Sequence, residues 1–576
     1  MNTQRFVFAF GILLVLVGCG GGGGGGESGG GSSSAASFSS VAVRPYSSGP
    51  VSVVVQNRSL VAGAQADQGE TDDPAVDTVS YSGQVYYVDC VNGNDSNDGL
   101  AANRAWRTVN QVNTKTNVGY WDTVAPNANT SPANHAPWTA APSGSAFLFK
   151  RGCTFDGFVN VHGYISFTNG ANVYANNITL GAYGVRSQAR PVIQYQTVSP
   201  MFRGAAVWTN GHTVKVRNIH LLGSSLSNAG GLSLNGTIDT VVENSTIENF
   251  GLDGILADNS KNLLIKNASI VNTQTSGGRG GGLAGSGTNI QVLYSTFVNN
   301  GRDQVGAHNI YLRHLTNATV QGNLLRGGSN LGIVVHGSST GVSIVRNDID
   351  GNSNGIDVTG GYPSEAEVFD NFLIAENVIH GNGYRTGEQG YGLLVKSMTN
   401  SLIANNIVYG NRLGSLMFAD ANTGDAASSG VQIIHNTFVE PATSNGMNFS
   451  GAAMGPINFR NNIVSTQSAA QQALLVNANV PSRAITMGGN LYYAPQIAAN
   501  QVLNIAGARY TVSSAIAAGF ESNSFYGDPL FTNQANADFT ISTNSPAKMR
   551  GVATEYSRKD YSGKVRSRVP TIGAFD

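Results

Sequence analysis

A short motif returns along the middle of the chain: asparagine, any residue, then an apolar residue. It stands at Asn323-Leu324-Leu325, Asn347-Asp348-Ile349, Asn377-Val378-Ile379, Asn406-Ile407-Val408, Asn436-Thr437-Phe438 and Asn462-Ile463-Val464. Successive asparagines lie 24, 30, 29, 30 and 26 residues apart. A repeat of this size, made of a short apolar strand and a bend residue, is one coil of a solenoid stacked along a single axis. The pattern predicts an all-β parallel β-helix. Such a fold builds long ladders of outward side chains, a surface suited to reading long polymers.

From about 201 to 500 the coils can be phased against one another. Each has a strand that starts with a small residue and an aliphatic: Gly231-Leu232, Gly254-Ile255, Asn309-Ile310, Gly332-Ile333, Gly355-Ile356, Gly392-Leu393, Ser415-Leu416 and Gly446-Met447. Alternate residues of a strand share a face. The phasing therefore turns Ile310 and Leu312, Ile333 and Val335, Ile356 and Val358, Leu393 and Val395, and Leu416 and Phe418 inward. The repeated asparagines are expected at inward corners, bonded to one another and to turn backbone groups. That is a structural role, not a catalytic one.

Composition narrows the class. Only 12% of the chain is charged, against about 25% in ordinary globular proteins. With 73 Gly and 17 Pro, polarity falls to Asn, Ser and Thr, as suits a β-rich exported protein with many turns. A net charge of -1 supplies no bulk field to draw in nucleic acid or anionic lipid. We expect a monomer.

The N-terminus reads as an address. Arg5 precedes the apolar run Phe6 to Val17, too short for a convincing membrane span. The run ends in Leu16-Val17-Gly18-Cys19, which resembles a bacterial lipobox. The resemblance implies a signal peptide over 1–18, lipidation of Cys19 and, with Gly20 rather than Asp next, the outer membrane. Membrane contact is then through the lipid anchor alone. Residues 19–80 begin as a Gly/Ser tether and continue as linker. Cys90 and Cys153 remain; in an oxidising compartment they are expected to pair, the alternative being two isolated buried thiols.

Three segments before the repeats are informative: Tyr86-Tyr87-Val88-Asp89-Cys90 running on to Gly99, Ala105-Trp106-Arg107-Thr108-Val109, and Phe147 to Gly152 followed by Ile178 to Gly184. Gly527-Asp528-Pro529-Leu530-Phe531, Ser545-Pro546-Ala547 and Ile572-Gly573-Ala574-Phe575 close the chain. Together these resemble secreted bacterial right-handed parallel β-helix proteins of the pectate-lyase-like superfamily, over about 81 to 576. The resemblance implies an N-terminal cap and first coils over 81–200, helix repeats over 201–500, and a C-terminal segment over 501–576 packed on the helix. That superfamily contains lyases, hydrolases, epimerases and non-enzymatic surface proteins, so no site is carried over from it.

Chemistry is sought in the outward columns. One reads Asn235, Asp258, Arg313, His336, Thr359, Lys396, Ala419, Ser450. Its neighbour reads Ser233, Leu256, Tyr311, Val334, Asp357, Leu394, Met417, Asn448. Their ends are bland, whereas Arg313, His336 and Lys396 share the middle with Tyr311 and Asp357 one step away. The preceding loops add Asp303 and His308, and Glu388 and Tyr391. The partner this suggests is an acidic polysaccharide. β-Elimination from a uronic acid needs a cation for the carboxylate, a base for the adjacent proton and an acid for the leaving oxygen. Arg313 is the expected cation, Lys396 or His336 the base, and Tyr311 or Tyr391 the acid. A hydrolase would need two carboxylates about 5 to 5.5 Å or 6.5 to 9.5 Å apart; Asp357 with Asp303 or Glu388 is the pair to inspect. A non-catalytic glycan-binding surface is the third reading. Calcium is a candidate cofactor, in the groove or at Asn94-Asp95-Ser96-Asn97-Asp98-Gly99. That stretch has Ala105 where a calcium loop needs its bidentate acid, so an Asx-rich turn is the expectation there. The run Gly277 to Gly282 is read as a loop. Trp121, Trp138 and Trp208 are candidates to stack on sugars or to pack at the cap.

Overall fold

The computed structural model describes residues 81–116 and 140–576, apart from short stretches at 162–163, 166–171, 174–175, 196–203, 211–212, 225–228, 274–279, 302–305, 363–364, 385–388 and 442–445. The signal segment, Cys19, the tether, Trp121, Trp138, Asp303 and Glu388 lie outside the described residues.

Each coil gives one short strand to each of three sheets of parallel strands. One coil contributes Val241–Glu243, Thr246–Glu248 and Ile255–Lys261. The next coil pairs with it in register, Leu264 on Val241, Ser269 on Thr246 and Leu283 on Ile255. The first and second sheets each hold 14 strands. The third runs from Val159–Val161 to Leu503–Ile505 and carries the outward columns. The inward residues assigned by phasing, from Ile310 and Leu312 to Leu416 and Phe418, are fully buried.

The corners explain the asparagines. Between the first and second sheets the chain bends at one residue in the left-handed region, such as Asn218 (φ 57°), Asn244 (φ 50°), Asn405 (φ 56°) and Asn461 (φ 56°). Asn tolerates that conformation better than most side-chain-bearing residues. After Asn218 and Asn244 stand Ile219 and Ser245; at Arg346, Glu376, Asn405, His435 and Asn461, all in the same left-handed region, the next residue is the repeated Asn, and it points inward. Asn377 Oδ1 accepts from the backbone N–H and the Nδ2 of Asn347, both at 3.0 Å, while its own Nδ2 donates to Ile344 O at 2.8 Å. The same bonds repeat through Asn406, Asn436, Asn462 and Asn490. A second ladder, Asn352, Asn382 and Asn411, lines the turn into the third sheet. Every amide group in such a ladder has a partner, which is what permits burial of polar side chains in the core.

One expectation is corrected here. Of the glycine run read as a loop, Gly280 to Gly282 begin the strand Gly280–Thr288. A Cβ on Gly281 (φ 131°) would lie 1.8 Å from His308 O, so only glycine lets these two coils approach. This strand inserts a rung, Ala284 and Ser286, between Asp258 and Arg313. The phasing missed it because Gly offers no apolar alternation to read.

The ends are closed differently. At the N-terminal side Cys90 and Cys153 form a disulfide with a Cα–Cα distance of 5.7 Å. The helix Val109–Thr116 covers the first coils, with Val109 and Val112 fully buried. The acidic turn before it is held by the chain's own donors. Asp95 accepts from Arg107 N, Thr108 N and Thr108 Oγ, and Asp98 from Leu100 N and Arg104 Nε. At the C-terminal side Ala508–Tyr510 folds back antiparallel on Leu503–Ile505. The tail then lays Phe539, Ala547, Ile572 and Ala574 on the outer apolar residues Ile407, Val439, Ile463 and Leu491. No helix of the described residues is long and apolar enough to cross a membrane.

Candidate functional site

The register of the third sheet places Arg313 directly against His336, with Tyr311 against Val334. Val334 pairs Asp357, which pairs Leu394, and the flanking Val335, Val358 and Val395 carry the first column on to Thr359 and Lys396. Arg313, His336 and Lys396 thus project from one outward column, with Tyr311 and Asp357 in the next. Rungs are about 4.8 Å apart, so Lys396 stands roughly 10 Å beyond His336.

The polar groups form two linked clusters. On the N-terminal side Arg313 Nη2 donates to Asp258 Oδ2 at 2.6 Å and Nη1 to Tyr362 Oη at 3.3 Å. The bond to the Asp258 carboxylate, more than burial opposes, holds the guanidinium above its ordinary pKa. Tyr362 Oη is also 3.1 Å from Tyr311 Oη. Arg313 therefore arrives with a carboxylate already against it and with a tyrosine pair at its side. Asp258, which the phasing set one rung from Arg313, is two rungs away across Ser286 and still in direct contact.

On the C-terminal side lies a carboxyl–hydroxyl–imidazole chain. Thr359 Oγ donates to Asp357 Oδ1 at 2.6 Å and stands 3.4 Å from His336 Nε2. Asn354 Nδ2 approaches Asp357 Oδ2 at 3.4 Å. Asp357 is 5% exposed although its position faces outward, because Thr359, Asn354 and the flanking Val334 and Leu394 enclose it. Burial pushes its pKa up to about 6, against the opposing hydrogen bonds and the nearby Lys396. Burial likewise pushes His336 down to about 4. With Asp357 ionised, the Thr359 hydroxyl hydrogen is committed to the carboxylate, so His336 Nε2 carries the hydrogen toward Thr359 and Nδ1 keeps the lone pair. Nδ1 faces Gly361, where a Cβ would sit 2.5 Å away. Lys396 Nζ donates to the neutral amide oxygen of Asn422 at 3.2 Å.

Two aromatic contacts join the clusters. The His308 ring stacks on Tyr311 at 5.4 Å, and Tyr311 meets His336 edge-on at 5.4 Å. His308 is buried, its Nδ1 accepts from Leu331 N–H at 3.3 Å, and burial pushes its pKa down to about 3. It supports Tyr311 from below. Tyr391 stands apart: it shares strand parity with inward Leu393, and its phenol lies near buried Glu440, which adds to the burial that raises its pKa. Asp303 and Glu388, the carboxylates considered as partners of Asp357, fall outside the described residues. Gln389 is described, and its Oε1 accepts from Asn354 Nδ2 at 2.8 Å.

The phasing read loops that enter the outward strands and passed over those that leave them. The described parts of the loop after Val358, 359–362 and 365–368, bring Gly361 and Tyr362 over His336 and Arg313, and residues 419–428 bring Asn422 to Lys396. The signal was present as the long step from Gly355 to Gly392 against the short one from Gly332 to Gly355. Asp425 and Glu367 stitch these two loops together, Glu367 N–H donating to Asp425 Oδ1 at 3.0 Å and Gly337 N–H to Glu367 Oε1 at 2.8 Å.

The right handed beta helix region family matches residues 203–368 and 310–490, together half of the chain, and the chain belongs to this family. No curated protein matches it in sequence. Among solved structures, the GH136 lacto-N-biosidase of Eubacterium ramulus aligns over 77% of this chain and 67% of its own, at 14% identity and a TM-score of 0.34. A pectate lyase aligns over 87% and 97%, at 14% and 0.33. The A-module of a mannuronan C-5 epimerase from Azotobacter vinelandii aligns over 67% and 92%, at 14% and 0.37. Likeness at this level leaves the substrate and reaction open.

Proposed function

We propose that this protein is a lipid-anchored, exported polysaccharide-active enzyme that cleaves a uronic-acid polymer by β-elimination on the outward face of its middle coils. The observation that carries the reading is the arrangement along one column: a tyrosine pair beside a guanidinium, a neutral imidazole in the centre and an ammonium two rungs on. In this reading Lys396, whose hydrogen bond among the described residues goes to the neutral amide of Asn422, meets the substrate carboxylate and acidifies the adjacent C5–H. His336 Nδ1 takes that proton. The electron pair forms the C4–C5 double bond, the C4–O bond breaks, and the Tyr311–Tyr362 pair gives a proton to the departing oxygen. Arg313, already compensated by Asp258, acts through Tyr362 rather than on the carboxylate. Asp357 orients His336 through Thr359. The low His336 pKa belongs to a site without a polyanion in it; a uronate carboxylate beside the ring favours the imidazolium and raises it toward a useful value.

Burial of Asp357 disfavours the hydrolase reading, since a carboxyl enclosed by Thr359 and Asn354 does not reach a glycosidic oxygen. Incubation with alginate, pectate and glycosaminoglycans decides the matter. Ultraviolet absorbance from unsaturated chain ends is expected with at least one polymer. Reducing sugar released without that absorbance would establish hydrolysis instead, and tight binding without either product a non-catalytic surface. The anchor is tested separately: Cys19→Ser should move the protein from the membrane to the soluble fraction.

A further inference from the structure

The two outward columns continue on the N-terminal side of Arg313, where the chemistry changes character. Register places Trp208 against Ser233, Ser233 against Leu256, Leu256 against Ala284 and Ala284 against Tyr311. Trp208 is outward, since its neighbours Val207 and Thr209 are fully buried. Four rungs separate it from Tyr311, roughly 19 Å. The floor between them is small or apolar: Ser233, Leu256, Ala284. The parallel column offers Asn235 and Ser286, and its one charged group, Asp258, is already bonded to Arg313. An apolar strip edged with amide and hydroxyl groups matches a pyranose, which has an apolar face and a hydroxyl rim. Among the described residues of these columns nothing offers a cation to a carboxylate until Arg313, and Arg313 is compensated by Asp258.

We propose that this strip is a binding track for uncharged sugars, with Trp208 as its far stacking platform. The substrate is then a heteropolysaccharide in which isolated 4-linked uronates are separated by neutral sugars, the neutral units lying toward the N-terminal coils. The position of the uronate at Lys396 rests on the reaction proposed above; the track itself does not. An aromatic ring under a sugar contributes an energy comparable to other aromatic stacking, so its loss costs about tenfold in affinity.

Binding is measured without turnover, by titration calorimetry on the His336→Ala protein. The probes are dimers and hexamers prepared from gellan, in which single glucuronates are separated by neutral sugars, and the same lengths of oligogalacturonate. Hexamers of the mixed chain should bind better than dimers and better than all-acid hexamers. Trp208→Ala should reduce the ratio of hexamer to dimer affinity about tenfold, Trp208→Phe should retain most of it, and quenching of tryptophan emission by the mixed hexamer should shrink in both. An unchanged ratio, or an equal loss for both lengths, overturns the platform. Equal affinity for all-acid hexamers overturns the neutral track. Absence of unsaturated product from the wild-type protein would remove the proposed chemistry and leave these binding outcomes independent of it.

Discussion

The inward corner and the outward face of this solenoid are built from the same coils, yet they use repetition in opposite ways. At the corner the same residue recurs: Asn347, Asn377, Asn406 and Asn436 each make the same three bonds to the coils on either side. On the outward face each rung is different: Ser286, Arg313, His336, Thr359, Lys396. A buried amide must be satisfied by its neighbours, and the same geometry on each rung demands the same residue. An outward side chain is not held to the identity of its neighbours on the adjoining rungs, so it can differ from coil to coil and serve another molecule. Repetition marks the scaffold and its interruption marks the chemistry.

That contrast can be broken at either place. Replacement of His336 by Ala should lower kcat/KM on a cleaved polymer by about 10²- to 10⁴-fold, the usual worth of a general base. Below pH 6.5 the melting temperature should hold or rise, because burial holds that ring neutral there at a cost to the folded state. Retained turnover would remove His336 from the mechanism.

Asn377→Ala should do the reverse. It leaves the Asn347 N–H and amide without their acceptor and removes one of the donors to Ile344 O, so stability should fall by about 2–4 kcal/mol. Turnover at a temperature where the protein is folded should be unaffected. Denaturant unfolding measures the first and initial rates the second; a lost activity at full folding would mean that corner and face are coupled.

The buried carboxyl sharpens the comparison through pH. Asp357 has a folded-state value of about 6 against 3.8 for the free side chain. A raised carboxyl pKa costs stability as pH climbs from the lower value to the higher, and the cost is complete above both. Asp357→Asn should therefore stabilise the protein at pH 8, by an amount on the order of 2–3 kcal/mol before subtracting the altered contact with Asn354. Below about pH 3.8 the gain should vanish. Melting curves across pH test the sign; a gain that is the same at both ends would show that Asp357 is not held protonated by burial. Asp357→Asn should also slow turnover if the Thr359 bridge aims His336.

The smallest effect is expected from Tyr362→Phe. It removes one hydroxyl between Arg313 and Tyr311, worth about 1 kcal/mol, and should reduce kcat about fivefold with KM nearly constant. A change in KM alone would make Tyr362 a binding residue rather than part of the proton donor.

Much of the scaffold was legible in the linear chain. The period of the Asn motif implied stacked coils, and period-two alternation placed Ile333 and Val335 inward beside an outward His336. The same alternation put Arg313, His336 and Lys396 in one column. Phasing failed where alternation was missing: Gly280–Thr288 has almost no apolar side chains, so a whole rung with Ser286 went unread and Asp258 was placed one rung too close to Arg313. Residues 359–362 and 419–428 carry Gly361, Tyr362 and Asn422 into the site without any periodic pattern at all.

Sequence alone determined the things that repeat, because a stacked strand and a left-handed corner impose the same local demand on every coil: fold class, inward faces, the asparagine ladders and the outward columns. Tertiary structure decided the electrical and solvent state of what projects from them. Whether Arg313 meets Asp258, whether Asp357 is open or enclosed, and which nitrogen of His336 is left for a substrate depend on loops folding back across rungs. Burial and pairing at those contacts, not residue type, set charge and pKa.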